Sequence, residues 1–204
     1  KSLQISADEN NNVIRVYYAK DIWKDAPLNG NDSVTGGDGI PDYRQVAVTF
    51  VHGDSNGIVT GTGATQVFTF SEGVDSADVT PKLTYVAVKG NTGYAFDYWT
   101  KNNLLWQVNP GATLPNVPGG TAIVFKAHFA KDAWDDAADT ETGGDNIPDK
   151  YQAIVTYAVE NGTWSDGTEA ERKAIFTLYS WDPADCRWIR VNTTLGDTVP
   201  QGMK

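Results

Sequence analysis

AKDIWKDAPLNGNDSVTGGDGIPD at residues 19–42 and AKDAWDDAADTETGGDNIPD at residues 130–149 are two versions of one stretch. Ala-Lys-Asp-x-Trp opens each copy, and Gly-Gly-Asp-x-Ile-Pro-Asp closes each. A β-like run precedes both, VIRVYY (13–18) and IVFKAHF (123–129), and an alternating run follows both, VAVTFV (46–51) and AIVTYAV (153–159). A strand, an acidic connector and a strand have been duplicated, and self-similarity of this kind is the signature of a repeat array.

Working outward, the apolar–polar alternation of 13–18, 46–51 and 153–159 predicts half-buried strands. Residues 58–63 and 64–70 add further β material, and 82–88 (KLTYVAV) alternates again. The polar stretch 71–81 reads as a loop, and the connectors, rich in Gly, Pro, Asn and Asp, read as loop or linker. Residues 168–179 allow two readings. Thr168 and Glu171 fit the capping box of a short helix, whereas AIFTLY alone reads as strand. The partition that follows has residues 1–20 as the closing strand of a preceding repeat and 21–42 as an acidic connector. Residues 43–129 are then a complete repeat, 130–149 a second connector and 150–204 the front of a further repeat. In the alternative arrangement the N-terminal strand completes the C-terminal unit by strand addition, within the chain or between chains.

The chain has 204 residues and a net charge of −10. Such acidity repels phosphate backbones, so a nucleic-acid partner is not expected. No apolar run approaches the ~18 residues of a spanning helix, so membrane insertion is not expected either. Seven Trp, nine Tyr and seven Phe supply core material. The one cysteine, Cys186, excludes an internal disulfide and any multi-cysteine zinc site.

Residues 90–117, GNTGYAFDYWTKNNLLWQVNPGATLPNV, carry Gly93, Tyr94, Phe96 and Trp99, then a polar turn, then Thr113-Leu114. With the closing run Ile123 to Phe129, this resembles the Listeria–Bacteroides, or internalin B-type, repeat. VIRVYYAKD (13–21) looks like the closing strand of mucin-binding-protein-type repeats. DGIPDYRQVAVTF and DNIPDKYQAIVTY look like the start of repeats in large surface proteins of Gram-positive gut bacteria. The resemblance implies a mainly β or β-rich α+β fold of tandem small β-grasp-like modules joined by an acidic connector. It also implies an extracellular, secreted and wall-anchored parent protein in which such repeats serve adhesion. The expected partner is then a host glycoprotein, mucin or immunoglobulin, bound at a sheet edge or an exposed aromatic patch, with neighbouring repeats of the same chain as further partners. Features of two families are mixed here, so neither ligand carries over alone. The other readings are a structural spacer whose connectors set its rigidity and a carbohydrate-binding accessory module.

Two sets of residues are candidates for binding. Asp21, Asp25, Asp32, Asp38 and Asp42 have counterparts at Asp132, Asp136, Asp139, Asp145 and Asp149. Asp-Gly-Ile-Pro-Asp resembles the second half of a calcium loop, in which oxygens at alternate positions wrap a hard cation. The first half is absent, and the second copy has Asn146 where the first has Gly39. The competing reading is a solvated acidic linker, with no cofactor at all. Among the aromatics, Trp106, Trp164, Trp181 and Trp188 are candidates for a ligand-binding surface, against a reading in which they fill the interior. Trp99 and Tyr94 are assigned to the core, and Trp23 and Trp134 are expected to pin the connectors to a neighbouring module.

No enzymatic activity is expected. His52 stands where the other copy has Val159, and His128 where it has Tyr17, so the repeat requires neither. No Ser-His-Asp order, HExxH, P-loop or GxSxG motif occurs. Carboxylates that come in duplicate within connectors do not make an acid–base pair of the kind an active site uses.

Overall fold

The computed structural model describes residues 16–24, 36–136 and 140–192. They form a mainly β protein whose strands are β1 (Gln45–His52), β2 (Gly57–Thr60), β3 (Thr65–Thr69), β4 (Ser76–Val79), β5 (Ala87–Gly90), β6 (Tyr94–Lys101), β7 (Leu104–Trp106), β8 (Leu114–Pro118), β9 (Thr121–Lys131), β10 (Gln152–Tyr157), β11 (Arg172–Thr177), β12 (Tyr179–Asp182) and β13 (Arg187–Arg190). The helical elements among the described residues are three single 3-10 turns, Asp42–Arg44, Leu83–Tyr85 and Asp149–Tyr151.

The largest sheet has the order β3-β1-β9-β6-β7. The run VAVTFV becomes β1, antiparallel to β3 and parallel to β9. Flanked on both edges, it is buried almost throughout, with Val46, Val48 and Phe50 at 0, 0 and 1% exposure. Phe50 stacks on Phe125 of β9 at 5.3 Å and meets Trp99 of β6 edge-on at 5.9 Å. In β9 the alternation is clean. Ile123, Phe125, Ala127 and Phe129 face the core, while Val124, Lys126 and His128 are half-buried. Two further ladders, β2–β5 and β4–β8, add Val59, Val88, Val79, Leu114 and Val117 to the same core.

Residues 150–192 form two hairpin-like ladders, β10–β11 and β12–β13. The stretch AIFTLY is therefore strand, and no helix forms at 168–171. Cys186 and Trp181 join the hydrophobic cluster of the large sheet, so β12–β13 packs directly on it.

Three local readings of the sequence do not match the structure. Tyr94, assigned to the core, opens β6 as an exposed residue, while Trp99 of the same strand is buried. Residues 76–79, within the predicted polar loop, form β4 because β8 supplies a ladder partner. In the predicted strand 82–88, Leu83–Tyr85 is a 3-10 turn, and extended structure starts only at Ala87. Residues 16–18 are described outside any strand and are exposed; residues 13–15 of that predicted strand lie outside the described residues.

Candidate functional site

The two connectors fold into the same clasp. In the first, the Asp21 carboxylate accepts from the N–H groups of Asp38 (3.1 Å) and Gly39 (2.9 Å). Asp42 Oδ1 returns across the loop to accept from Ile22 (2.9 Å) and Trp23 (3.0 Å). Asp38 Oδ1 accepts from Ile40, and Asp38 Oδ2 accepts from Gln45 Nε2 at 2.9 Å. The second copy repeats every bond. Asp132 accepts from Asp145 and Asn146, Asp149 Oδ1 from Ala133 and Trp134, and Asp145 from Ile147 and Gln152 Nε2.

The letters of the duplicated stretch have physical tasks in this clasp. A carboxylate is an acceptor with several lone pairs, so one Asp satisfies two backbone donors that a loop would otherwise leave unpaired. Gly39 has φ +84°, a left-handed conformation. Asn146 takes its place at φ +67°, and asparagine is among the few other residues that tolerate this region. At Gly37 and Gly144 a Cβ would come within 2.9 Å of the Asp21 and Asp132 carbonyl oxygens, so the ends of each clasp approach too closely for a side chain. Pro41 and Pro148 then lead into the 3-10 turns that begin at Asp42 and Asp149.

Charge is concentrated here. Burial raises the Asp132 carboxyl above its ordinary value, the Asp145 and Asn146 N–H groups partly offset this, and Asp149 and Asp135 add repulsion. Burial likewise raises Asp145, with the neighbouring Asp136 adding to the effect. Asp136 also accepts from the Thr177 hydroxyl, which ties the clasp to β11. Of the ten aspartates proposed from sequence, Asp25, Asp32 and Asp139 lie outside the described residues. Among the described residues, no three His, Cys, Asp or Glu side chains converge as a ready-made metal centre.

A second constellation joins residues 150–192 to the large sheet. β6 carries a bulge between Phe96 and Tyr98, opposite Phe129 and His128 of β9. The extra residue is Asp97, and a bulge re-aims the side chain it carries. Asp97 is 3% exposed. It accepts from the Tyr151 hydroxyl at 2.8 Å and pairs with the Lys150 ammonium, while its carbonyl accepts from Trp188 Nε1 at 2.9 Å. Burial, then Asp97, raises the Tyr151 phenol, which stays a neutral donor. Tyr151 stacks on Trp188 at 4.5 Å, and Trp181 meets Phe96 edge-on at 5.2 Å. The Cys186 thiol is pushed up to about 11 by burial, with Asp182 and Asp185 adding to it, so it is an inert core group.

The four candidate tryptophans are thus placed in different settings. Trp164 is 3% exposed, with its Nε1 donating to the Ala170 carbonyl and Arg172 over its ring. Trp181 and Trp188 are half-buried in the seam just described. Trp106 is half-buried against Phe125, with the Lys101 ammonium 4.4 Å from its ring centre. Beside it, β7 is an outer strand of the large sheet, and Leu104 and Leu105 are 75 and 60% exposed. A cleft of about 510 Å³ opens between β7 and the seam, lined by Tyr98, Thr100, Asn103, Leu105, Arg187 and Trp188 among others.

Sequence reasoning overlooked Asp97, Lys150, Tyr151 and the two clasp glutamines. The glutamines did leave a signal, since Gln45 and Gln152 each stand three residues after the closing Asp of the repeat. His128 sits at 3.5 Å from Asp54 and is stacked on Tyr98, a packed ring in the sheet. No helix among the described residues is long and apolar enough to cross a membrane. No protein-family model matches the chain, and no curated protein or solved structure matches it either.

Proposed function

We propose that this chain is a non-catalytic stretch of tandem β modules, β-grasp-like in plan, from an extracellular bacterial surface protein, and that it acts as a stiff spacer. The observation that carries this reading is the seam at Asp97. Tyr151, Trp181 and Trp188 are spent on joining residues 150–192 to the large sheet, and the clasp beside them satisfies its own backbone donors. A flexible linker has neither feature. Successive modules held by both a clasp and an aromatic seam keep a fixed orientation, which is what a stalk requires.

The test is small-angle scattering of the chain beside a variant carrying Asp97→Ala and Trp188→Ala. The spacer reading expects one rigid shape for the parent and a broader distribution of maximum dimensions for the variant. Identical profiles would remove the seam from the account.

Adhesion to a host glycoprotein, mucin or immunoglobulin, is the second reading. It is favoured by the outer edge of β7, where Leu104 and Leu105 are exposed beside the cleft. An open edge can accept an added strand, with neighbouring pockets reading alternate side chains. Retention of mucin or pooled immunoglobulin on the immobilised chain, lost on Leu105→Lys, would favour adhesion over a pure spacer.

A further inference from the structure

Among the described residues, each clasp leaves the same two oxygens without a hydrogen-bond donor. They are Asp42 Oδ2 and Gln45 Oε1 in the first copy, and Asp149 Oδ2 and Gln152 Oε1 in the second. These are deeply buried residues, at 4, 0, 8 and 6% exposure. A buried acceptor without a partner is costly, and native proteins rarely keep one without a reason. Two independent folds of one motif keeping the same two makes accident a poor explanation. The residues are also neighbours. Each Asp opens a 3-10 turn, and the Gln three positions on is the extended residue that leaves it, in both copies.

The orientation of the glutamines is fixed by their surroundings. Gln45 Nε2 donates to Asp38 Oδ2 and Thr69 Oγ1, and Gln152 Nε2 donates to Asp145 Oδ2. Turning either amide over would set its oxygen against a carboxylate. Oε1 therefore points away from those partners, and no donor among the described residues meets it. Among the described residues, the cationic groups paired with Asp42 Oδ2 and Asp149 Oδ2 are Lys20 at 3.8 Å and Lys131 at 3.6 Å. Both lysine side chains are 67–70% exposed, a weak and screened balance for so many carboxylates.

We propose that each clasp binds one hard divalent cation of calcium's class, with Asp42 Oδ2 and Gln45 Oε1 as ligands in the first and Asp149 Oδ2 and Gln152 Oε1 in the second. An all-oxygen set of carboxylate and amide groups suits such an ion, and calcium tolerates the irregular geometry of a loop better than magnesium does. The inference does not depend on the spacer reading. A cation site would exist whether or not the chain is a stalk.

The experiment is calorimetric titration of the EDTA-stripped full chain with calcium chloride, with magnesium chloride as the comparison. Two calcium ions per chain are expected, with binding at least tenfold weaker for magnesium, and terbium substituted for calcium should show emission sensitised by Trp23 and Trp134. Asp149→Asn keeps an oxygen for the Ala133 and Trp134 N–H groups but replaces Oδ2, so the stoichiometry should fall to one. The double variant with Asp42→Asn should bind none. Should Asp149→Asn fail to fold, Gln152→Glu takes its place and is expected to tighten one site several-fold. Absence of binding at millimolar calcium by the folded chain, or an Asp149→Asn chain that still binds two ions, or unchanged affinity in Gln152→Glu, would each overturn the proposal and leave the lysines as the only counter-charge.

Discussion

The two clasps are near copies, but the strands they introduce are not. Val46, Val48 and Phe50 of β1 are sealed at 0, 0 and 1% exposure, while their counterparts Ala153, Val155 and Tyr157 of β10 are only half-buried. The cause is in the pairing. β1 has β3 on one edge and β9 on the other, whereas β10 pairs with β11 alone among the described residues. The clasp's backbone donors are met mainly by its own aspartates, with the Gln that opens the next strand completing it. The burial of the strand behind it is borrowed from neighbours. A repeated sequence repeats what local chemistry dictates and varies wherever the surroundings decide.

The largest contrast should come from the cores. Phe50→Ala removes a ring packed on Phe125 and Trp99, and is expected to lower stability by about 3–5 kcal/mol. Tyr157→Ala, the same position in the second copy, should cost less than half as much. Chemical denaturation of both variants checks this, and equal losses would mean that β10 is as enclosed as β1. The clasps should behave in the opposite way. Asp42→Ala and Asp149→Ala each strip the acceptor from two backbone N–H groups, at about 1–3 kcal/mol per group left buried and unpaired. The two effects should agree closely, and a large disparity would end the claim that the copies are mechanically equivalent.

Acid titration gives a smaller effect. The carboxyls of Asp132 and Asp145 are raised above 3.8 in the folded chain. The folded state therefore holds these protons more tightly than the unfolded one. Their contribution to stability is greatest below 3.8 and is lost as pH rises through the raised values. In metal-free buffer, carbon NMR should show both carboxyls titrating above the usual Asp range, and replacement of Asp136 by Asn should bring Asp145 down. No movement of Asp145 would remove Asp136 from its surroundings. The smallest effect belongs to the left-handed position. Gly39→Asn copies what Asn146 already does and should be nearly neutral, whereas Gly39→Ala should cost about 1–2 kcal/mol.

Part of the large sheet was legible from the runs VAVTFV and IVFKAHF, which became β1 and β9, and in β9 the core writes its burial into every second residue. The duplicated stretch was legible as a unit, but not as a clasp. A run of Asp, Gly and Asn has the composition of a linker, and only the structure pairs Asp21 and Asp132 with N–H groups more than a dozen residues away. Asp97 was hidden by its bulge. In a regular strand the letter between Phe96 and Tyr98 would simply take the opposite face, and nothing in the sequence announces an extra residue. The aromatic candidates were ambiguous for a related reason, since Trp181 and Trp188 flank a turn in sequence and find their partners on β6 only in the folded chain.

The central claim is that the duplicated acidic stretches are built structure and not linker, and amide hydrogen exchange tests it most directly. The N–H groups of Ile22 and Trp23, and of Ala133 and Trp134, donate to Asp42 and Asp149. They should exchange slowly, within the range of the edge strands of the large sheet, and Asp149→Ala should release Ala133 and Trp134 while leaving Ile22 and Trp23 protected. Exchange of all four at the rate of an unstructured peptide in the parent chain would contradict the account.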